Sequence, residues 1–238
     1  MKDAVFIWSG GKDSALALYR VLRSGDYNLR YLVTTFSAAY QRVTMHGVPK
    51  ELVEAQASSL GIHLWPVYIP DDTALNYETQ MHQAFLQLKR AGIETAIFGD
   101  IHLEDLKLYR EQQLALVNLE AYFPLWGELT NKLVQEFIDS GFKALLVCVS
   151  DARMGSSFIG REIDAAFMPA LPPEADSAGE KGEYHSFVYA GPIFKKPISF
   201  SKGKVILRDY AANTTTEEDT LNYDSKFWFL DLMPAPTN

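Results

Sequence analysis

Apolar and polar positions follow two periods along the first two-thirds of the chain. Short apolar runs of strand length occupy 4–8, 29–36, 62–69, 95–98, 122–126 and 142–149, with Pro66 interrupting the third. Between them the spacing is helical. Residues 14–24 place Ala15, Leu18, Tyr19 and Leu22 at i, i+3, i+4 and i+7, a face ended by Gly25. Residues 50–60 form a second helix stopped by Gly61, and 74–90 a third, with Tyr77, Met81, Ala84, Phe85 and Leu88 on one face before Gly92. Residues 104–118 make a fourth, and Leu129, Leu133 and Phe137 mark a fifth, stopped by Gly141. Strands alternating with helices predict right-handed βαβ units: an α/β protein with a Rossmann-like parallel sheet flanked by helices. Ligands of such sheets sit beyond the carboxyl ends of the strands, at the switch point.

The pattern changes after residue 150. Residues 169–183 are rich in Pro, Gly and acids and predict an exposed loop or lid. Residues 184–189, 198–200 and 205–210 have strand character, with Ser201-Lys202-Gly203-Lys204 as a hairpin turn between the last two. The polar, Thr-rich stretch 211–222 predicts a loop, and Phe227-Trp228-Phe229-Leu230 is apolar enough to dock on the body. The expectation is two domains, 1–126 and 127–238, the second a smaller α+β unit.

Composition narrows the classes. With 238 residues, 47% of them hydrophobic and 22% charged, the chain has enough apolar material for a core without staples. Its 22 basic and 30 acidic side chains leave a charge of −8, which argues against a non-specific nucleic-acid binder. One cysteine, Cys148 in an apolar run, excludes an intramolecular disulfide and a cysteine-rich zinc site and reads as a buried structural thiol. No apolar stretch approaches the ~18 residues of a membrane span. The run 4–8 is too short for a signal-peptide core, so a cytoplasmic protein with no membrane partner is expected.

The strongest chemical signal is Ser9-Gly10-Gly11-Lys12-Asp13-Ser14, which follows a strand and opens a helix. Paired glycines let the backbone turn tightly and bring N–H groups close to an anion. The helix start adds unpaired N–H donors and positive dipole potential. Ser9 and Ser14 add hydroxyls, and Lys12 offsets phosphate charge. The segment is not a Walker A loop, because Phe6 stands where that motif has its first glycine and Asp13 where it has Ser or Thr. It is not G-x-G-x-x-G either.

SGGKDS resembles the pyrophosphate loop of the N-type ATP pyrophosphatases, whose members cleave ATP between the α and β phosphates. Further segments narrow the resemblance: Met45-His46, Phe98-Gly99-Asp100-Ile101, Pro124-Leu125-Trp126, Gly160-Arg161-Glu162-Ile163-Asp164, and the block Gly179-Glu180-Lys181-Gly182-Glu183-Tyr184-His185-Ser186-Phe187. Together, over residues 4 to about 198, they resemble the diphthine–ammonia ligase family. Ala178 stands where that pattern has a cysteine or similar small residue. The resemblance implies an ATP-binding domain over 1–126 and a substrate domain over 127–238. It implies an AMP-forming amidoligase that activates a carboxylate as its acyl-adenylate and amidates it with free ammonia. ATP is then the cofactor, with Mg²⁺ arriving on its phosphates and no resident metal site. The partners are a carboxylate-bearing acceptor, on a protein or a small molecule, and ammonium; a homodimer is possible.

The remaining candidates are weighed residue by residue. Asp100 after Gly99 would face the phosphate loop across the switch point, or cap the next helix. Glu104 and Asp105 fit the start of that helix, where acids favour the dipole. His46 is a candidate adenine or ribose contact, or a surface histidine. Alternation places Glu183 and His185 on one strand face, able with Glu180 and Gly182 to orient ammonium or receive its proton. Arg161, after Gly160, can hold a phosphate or carboxylate, or form a surface ion pair; Arg153 and Asp151 are weaker candidates of that type. Trp126 can line a cleft or a core. His63 and His82 lack partners at metal-ligand spacing, and there is no G-x-S-x-G elbow. With the resemblance, the candidate catalytic groups are Lys12, Asp13, Glu183 and His185. The candidate nucleotide contacts are Ser9, Gly10, Gly11, Lys12, Asp13, Ser14, His46, Gly99 and Asp100. The candidate substrate contacts are Trp126, Gly160, Arg161, Glu180, Gly182 and Glu183. Competing readings are tRNA thiolation, which asks for relay cysteines and a basic face, and a non-enzymatic ATP or AMP sensor.

Overall fold

The computed structural model describes residues 1–70, 73–210 and 225–235; the whole loop expected at 211–222 lies outside them. The first part runs β1 (Lys2–Ile7), α1 (Lys12–Ser24), β2 (Tyr27–Ser37), β3 (Arg42–Val43), α2 (Lys50–Leu60), β4 (His63–Ile69), α3 (Ala74–Arg90), β5 (Thr95–Ile97), α4 (Glu104–Ala115) and β6 (Glu120–Tyr122). Five strands form a parallel sheet in the order β4-β2-β1-β5-β6. The central strands are apolar throughout because helices cover both faces: Ala4, Val5, Phe6, Ala96 and Ile97 are fully buried. Pro66 does not interrupt its strand. β4 pairs only with β2, and an edge strand has no second ladder to lose.

β3 has no counterpart in the hydrophobic pattern. β2 pairs β4 through Tyr31–Ser37 on one edge and β1 as far as Val33 on the other. β3 pairs antiparallel with Phe36 and Ser37, so it occupies the β1 edge past the point where β1 ends. The turn after it is tight, with Met45 and Gly47 at positive φ of 67° and 70°. This short excursion folds residues 44–47 over the carboxyl end of β1.

The second part contains α5 (Thr130–Asp139), β7 (Lys143–Ser150), a 3₁₀ turn at Ser156–Phe158, α6 (Phe167–Ala170), β8 (Tyr184–Ala190), β9 (Phe200–Asp209) and β10 (Lys226–Pro234). Its four strands form an antiparallel sheet in the order β8-β7-β10-β9. The hairpin turn expected at 201–204 is absent. β9 runs straight through it because Ser201 and Lys202 pair with Met233 and Leu232 of β10. The apolar end of the chain docks as a strand, Phe227–Phe229 pairing with Ser150–Cys148. The strand expected at 122–126 is Glu120–Tyr122, and the fourth helix stops at Ala115 rather than 118, where Asn118 turns to a φ of 56°.

The two sheets share a core. One apolar cluster runs from Leu16 and Leu52 beside the parallel sheet to Phe137, Phe142 and Phe187 beside the antiparallel one. Phe137 and Phe142 stack with centroids 4.9 Å apart. Fully burying side chains of this size contributes about 1.5–3 kcal/mol each. Cys148 lies inside β7, 2% exposed, and burial pushes its thiol up to about 12. No helix among the described residues is long and apolar enough to cross a membrane.

Candidate functional site

In the parallel sheet, chain connections run from β1 toward β2 on one side and toward β5 on the other, so the switch point lies between β1 and β5. The Ser9–Ser14 loop leaves β1 there. Gly10 adopts φ +79°, and a Cβ on it would meet Gln56 Oε1 at 2.8 Å. Glycine is required on both counts. Its carbonyl accepts from Gln56 Nε2 at 3.1 Å and from the Val188 N–H at 2.9 Å. The Ser9 and Ser14 hydroxyls lie 2.5 Å apart, and the Gly11 N–H donates to Ser9 Oγ at 3.2 Å. The Lys12 N–H donates to Ser186 Oγ at 3.1 Å. The first-turn amides of α1 have no intrahelical acceptors, so serine hydroxyls stand where an anion would sit.

Gly99 closes the other side. A Cβ there would lie 3.0 Å from the Ser14 N and 3.1 Å from the Asp13 carbonyl carbon. Only a glycine lets the segment after β5 press against the helix start. Asp100 follows it. The helix cap reading is overturned: Leu103 caps α4, and Asp100 instead pairs with Arg110, Nε to Oδ2 at 2.6 Å. Arg110 also stacks over Phe98, 4.6 Å from its centroid. Glu104 and Asp105 sit in the first turn of α4, as the dipole favours.

A cavity of about 510 Å³ opens above the loop, within the size range of small-molecule sites. Ser9, Asp13, Ser14, His46, Gly99, Asp100, Glu180, Gly182 and His185 all line it. Ile7, Val33, Met81, Phe98, Leu103 and Leu106 supply its apolar wall. The chain therefore gathers residues from six separate segments into one polar-and-apolar chamber.

Electrostatics within it are unusual. Burial pushes the Glu180 carboxyl up to about 7, with Asp13 and Asp100 adding to the rise and Lys12 opposing it. Burial likewise raises Asp13, against the pull of Lys12. The His46 and His185 rings lie 4.5 Å apart, tilted by 33°. Burial brings His46 down to about 4, and burial together with His46 and Lys12 holds His185 well below the usual imidazole range. Both are neutral at pH 7. Among the described residues no group of three or more His, Cys, Asp or Glu is placed to hold a metal ion.

Other sequence candidates lie elsewhere. Lys12 is 4% exposed and turned sideways: its ammonium donates to Asp13 Oδ2 at 2.8 Å and to the Ala178 carbonyl, over the Tyr184 ring. Glu183 does not share the cavity with His185. It precedes β8, is 1% exposed, and its two oxygens accept from the Asp176 and Lys181 N–H groups at 2.9 and 3.0 Å. Nor is the segment 169–183 simply exposed: Ala178, Gly179 and Glu183 are buried. Trp126 packs on Phe123 beneath Lys107 and does not line the cavity. Gly160 and Arg161 lie outside it too, the arginine donating to the Ala166 carbonyl at 3.1 Å over Phe158.

Three positions at or behind the site were not among the sequence candidates, each a polar residue in an apolar stripe. Gln56, fully buried on α2, also accepts from Trp8 Nε1 at 3.0 Å and donates to the Val188 carbonyl at 2.6 Å. Ser186 interrupts the apolar run of β8. Arg110 follows Leu103 and Leu106 at helical spacing and precedes the buried Leu114.

Fold and cavity together define an α/β protein with a glycine-rich strand-to-helix turn at the floor of a mixed polar and apolar chamber. Residues 1–114 match the diphthamide synthase N-terminal domain and residues 129–212 the diphthamide synthase C-terminal domain. The chain belongs to the diphthamide synthase family. It is 24% identical over 223 residues to a diphthine–ammonia ligase of Danio rerio, spanning 84% of this chain and 86% of that relative. Among solved structures it is similar to a predicted subunit of tRNA methyltransferase from Methanocaldococcus jannaschii. That likeness has 19% identity and a TM-score of 0.39 and covers 58% of this chain and 74% of that one.

Proposed function

We propose that the chain is an ATP-dependent, AMP-forming amidoligase that adenylates a carboxylate and then amidates it with ammonia. The observation that carries this reading is the cavity that brings Ser9, Ser14 and the start of α1 together with Asp100, Glu180 and His185. The first-turn N–H groups and the two serine hydroxyls bind the phosphates. Charge that develops on departing pyrophosphate meets donors already in place. Magnesium arrives as part of the ATP substrate, with Asp13 and Asp100 as the carboxylates nearest the loop. The acceptor carboxylate oxygen attacks the α-phosphorus, the bond to the bridging oxygen breaks, and pyrophosphate leaves with the electron pair. Ammonia then attacks the acyl carbon and AMP leaves with its pair. The nitrogen must lose a proton, and His185, which lines the chamber beside His46, is the residue we assign to take it.

The buried Cys148 has neither the exposure nor the lowered thiol pKa that a sulfur relay requires. The test is the product pattern from α- and γ-labelled ATP with Mg²⁺ and ammonium, with and without a cell extract as source of acceptor. AMP plus pyrophosphate, rising with extract, is expected. ADP plus phosphate would overturn the mechanism. Binding without cleavage would favour a nucleotide sensor.

A further inference from the structure

A second cavity, of about 320 Å³, lies between the turn after β3 and the β9–β10 sheet face. It shares the wall Val43, Thr44 and Met45 with the cavity above the Ser9–Ser14 loop, so the two adjoin along one short partition. Its floor follows from strand periodicity. Lys204, Ile206 and Arg208 alternate along β9, Tyr210 follows just past its end, all four line the groove, and Ile206 pairs with Phe229 of β10.

The walls are tied together. Arg42 donates to Asp231 Oδ1 and to the Gly47 carbonyl, both at 2.7 Å. A Cβ on Gly47 would lie 3.3 Å from Phe229, so the turn sits directly on β10. Arg42 and Asp231 satisfy each other. Lys204 and Arg208 differ: both are exposed, and neither has a carboxylate partner among the described residues. Arg208 lies over Phe229, 5.3 Å from its centroid. In a chain of net charge −8, a groove whose two cations have no carboxylate partner among the described residues, beside an aromatic floor, is locally positive there.

We infer that this groove holds the carboxylate-bearing acceptor, with Lys204 and Arg208 engaging its anionic groups while one carboxylate passes the Val43–Met45 partition. The inference rests on the amidoligase reading for what happens next, but not for what binds. The groove faces a polyanionic ATP across the partition, so an acidic acceptor needs local cations to approach at all.

A fluorescein-labelled hexaglutamate peptide is the probe, measured by anisotropy on the full chain at low salt. Wild type is expected to bind it saturably. K204E/R208E, two exposed changes, should weaken it by at least about tenfold. K143E, a cation outside the groove, should leave it unchanged. A labelled ATP analogue should bind all three equally. No saturable binding to wild type, or equal peptide affinity for wild type and K204E/R208E, would overturn the inference. Tighter binding of labelled oligouridylate through the same two residues would overturn it in favour of a nucleic-acid groove. Failure of wild type to form AMP would remove the amidoligase reading while the peptide result still decides the groove.

Discussion

Two loops line the cavity above the start of α1, and they handle their backbone amides in different ways. The 176–183 loop fills its own. Asp176 accepts from the Ala178 and Glu180 N–H groups, and Glu183 from those of Asp176 and Lys181. Tyr184 Oη adds a bond to the Ser177 carbonyl at 2.6 Å. In the Ser9–Ser14 loop the one carboxylate on an amide is that of Asp13, which accepts from its own N–H. The Gly11 and Lys12 N–H groups meet only serine hydroxyls. A hydroxyl can rotate and give up its donor at little cost, whereas a buried carboxylate cannot. One loop is therefore self-satisfied and rigid, and the other is left able to receive an anion.

The sharpest way to break this comparison is one added methyl on each side. Gly99→Ala puts a Cβ against the backbone of Asp13 and Ser14. Neither neighbour is a flexible side chain, so the start of α1 must shift. The contacts ask for a shift of a few tenths of an ångström, so turnover should fall by less than the about 100-fold that a misplacement near 1 Å can cost. Pyrophosphate release and ATP affinity should fall together, with the unfolding midpoint little changed. Gly182→Ala meets nothing within 4 Å, although φ is +83°. It should cost about 1–2 kcal/mol of stability and leave ATP affinity intact. Equal effects of the two on ATP affinity would remove the distinction.

Glu183 sharpens the other side. Its carboxylate is 1% exposed and holds two amides. Glu183→Gln places an NH₂ against one of those N–H donors. The expected loss is about 1–3 kcal/mol in urea unfolding, with a wild-type rate constant for AMP formation once the protein is folded. A lost rate at unchanged stability would return Glu183 to the chemistry.

The parallel sheet and its loop are legible in the sequence because their determinants are contiguous. Strand, glycine pair, serine and helix face follow each other within twenty residues. Local reading fails where a partner comes from far along the chain. β9 reads as two strands and a turn until β10, about 30 residues later, supplies a ladder that spans the expected turn with one register shift, between Leu230 and Leu232. β3 exists only because β1 ends early. The same holds within the site. Glu183 and His185 are two residues apart, but the strand begins between them, so alternation does not apply. Arg110 and Gln56 become visible only as polar interruptions in apolar helix faces. Arg161 and Trp126 sit in family-like segments whose placement no local pattern determines.

The smallest effect expected is in pH dependence, and it belongs to the cavity rather than to either loop. Glu180 lines the chamber with its carboxyl raised from 4.5 to about 7, first by burial and then by Asp13. An acid with a raised folded pKa holds a proton that the unfolded chain releases between about 4.5 and 7. Folding is then favoured at low pH, and this contribution is lost as pH rises through 7. His46 works in the opposite direction. Its folded value near 4 lies below the ordinary 6.5, so its contribution is present above 6.5 and lost as pH falls toward 4. The two oppose each other between about 4.5 and 6.5, with Asp13 acting in the direction of Glu180 and His185 in that of His46, so the wild-type profile there is set by their balance. Glu180→Gln takes one group out of that balance. At pH 5 the variant should unfold near the wild-type midpoint, and at pH 8 above it, since wild type then carries an unpaired charge beside Asp13. ATP affinity should follow the same sign, falling in wild type as pH rises through 7 because Glu180 ionises next to bound phosphate, and staying level in the variant. Thermal unfolding and labelled-ATP titration across pH 5–8 read both. A variant whose midpoint tracks wild type over that whole range would show that Glu180 is already solvated, and the cavity more open than its burial implies.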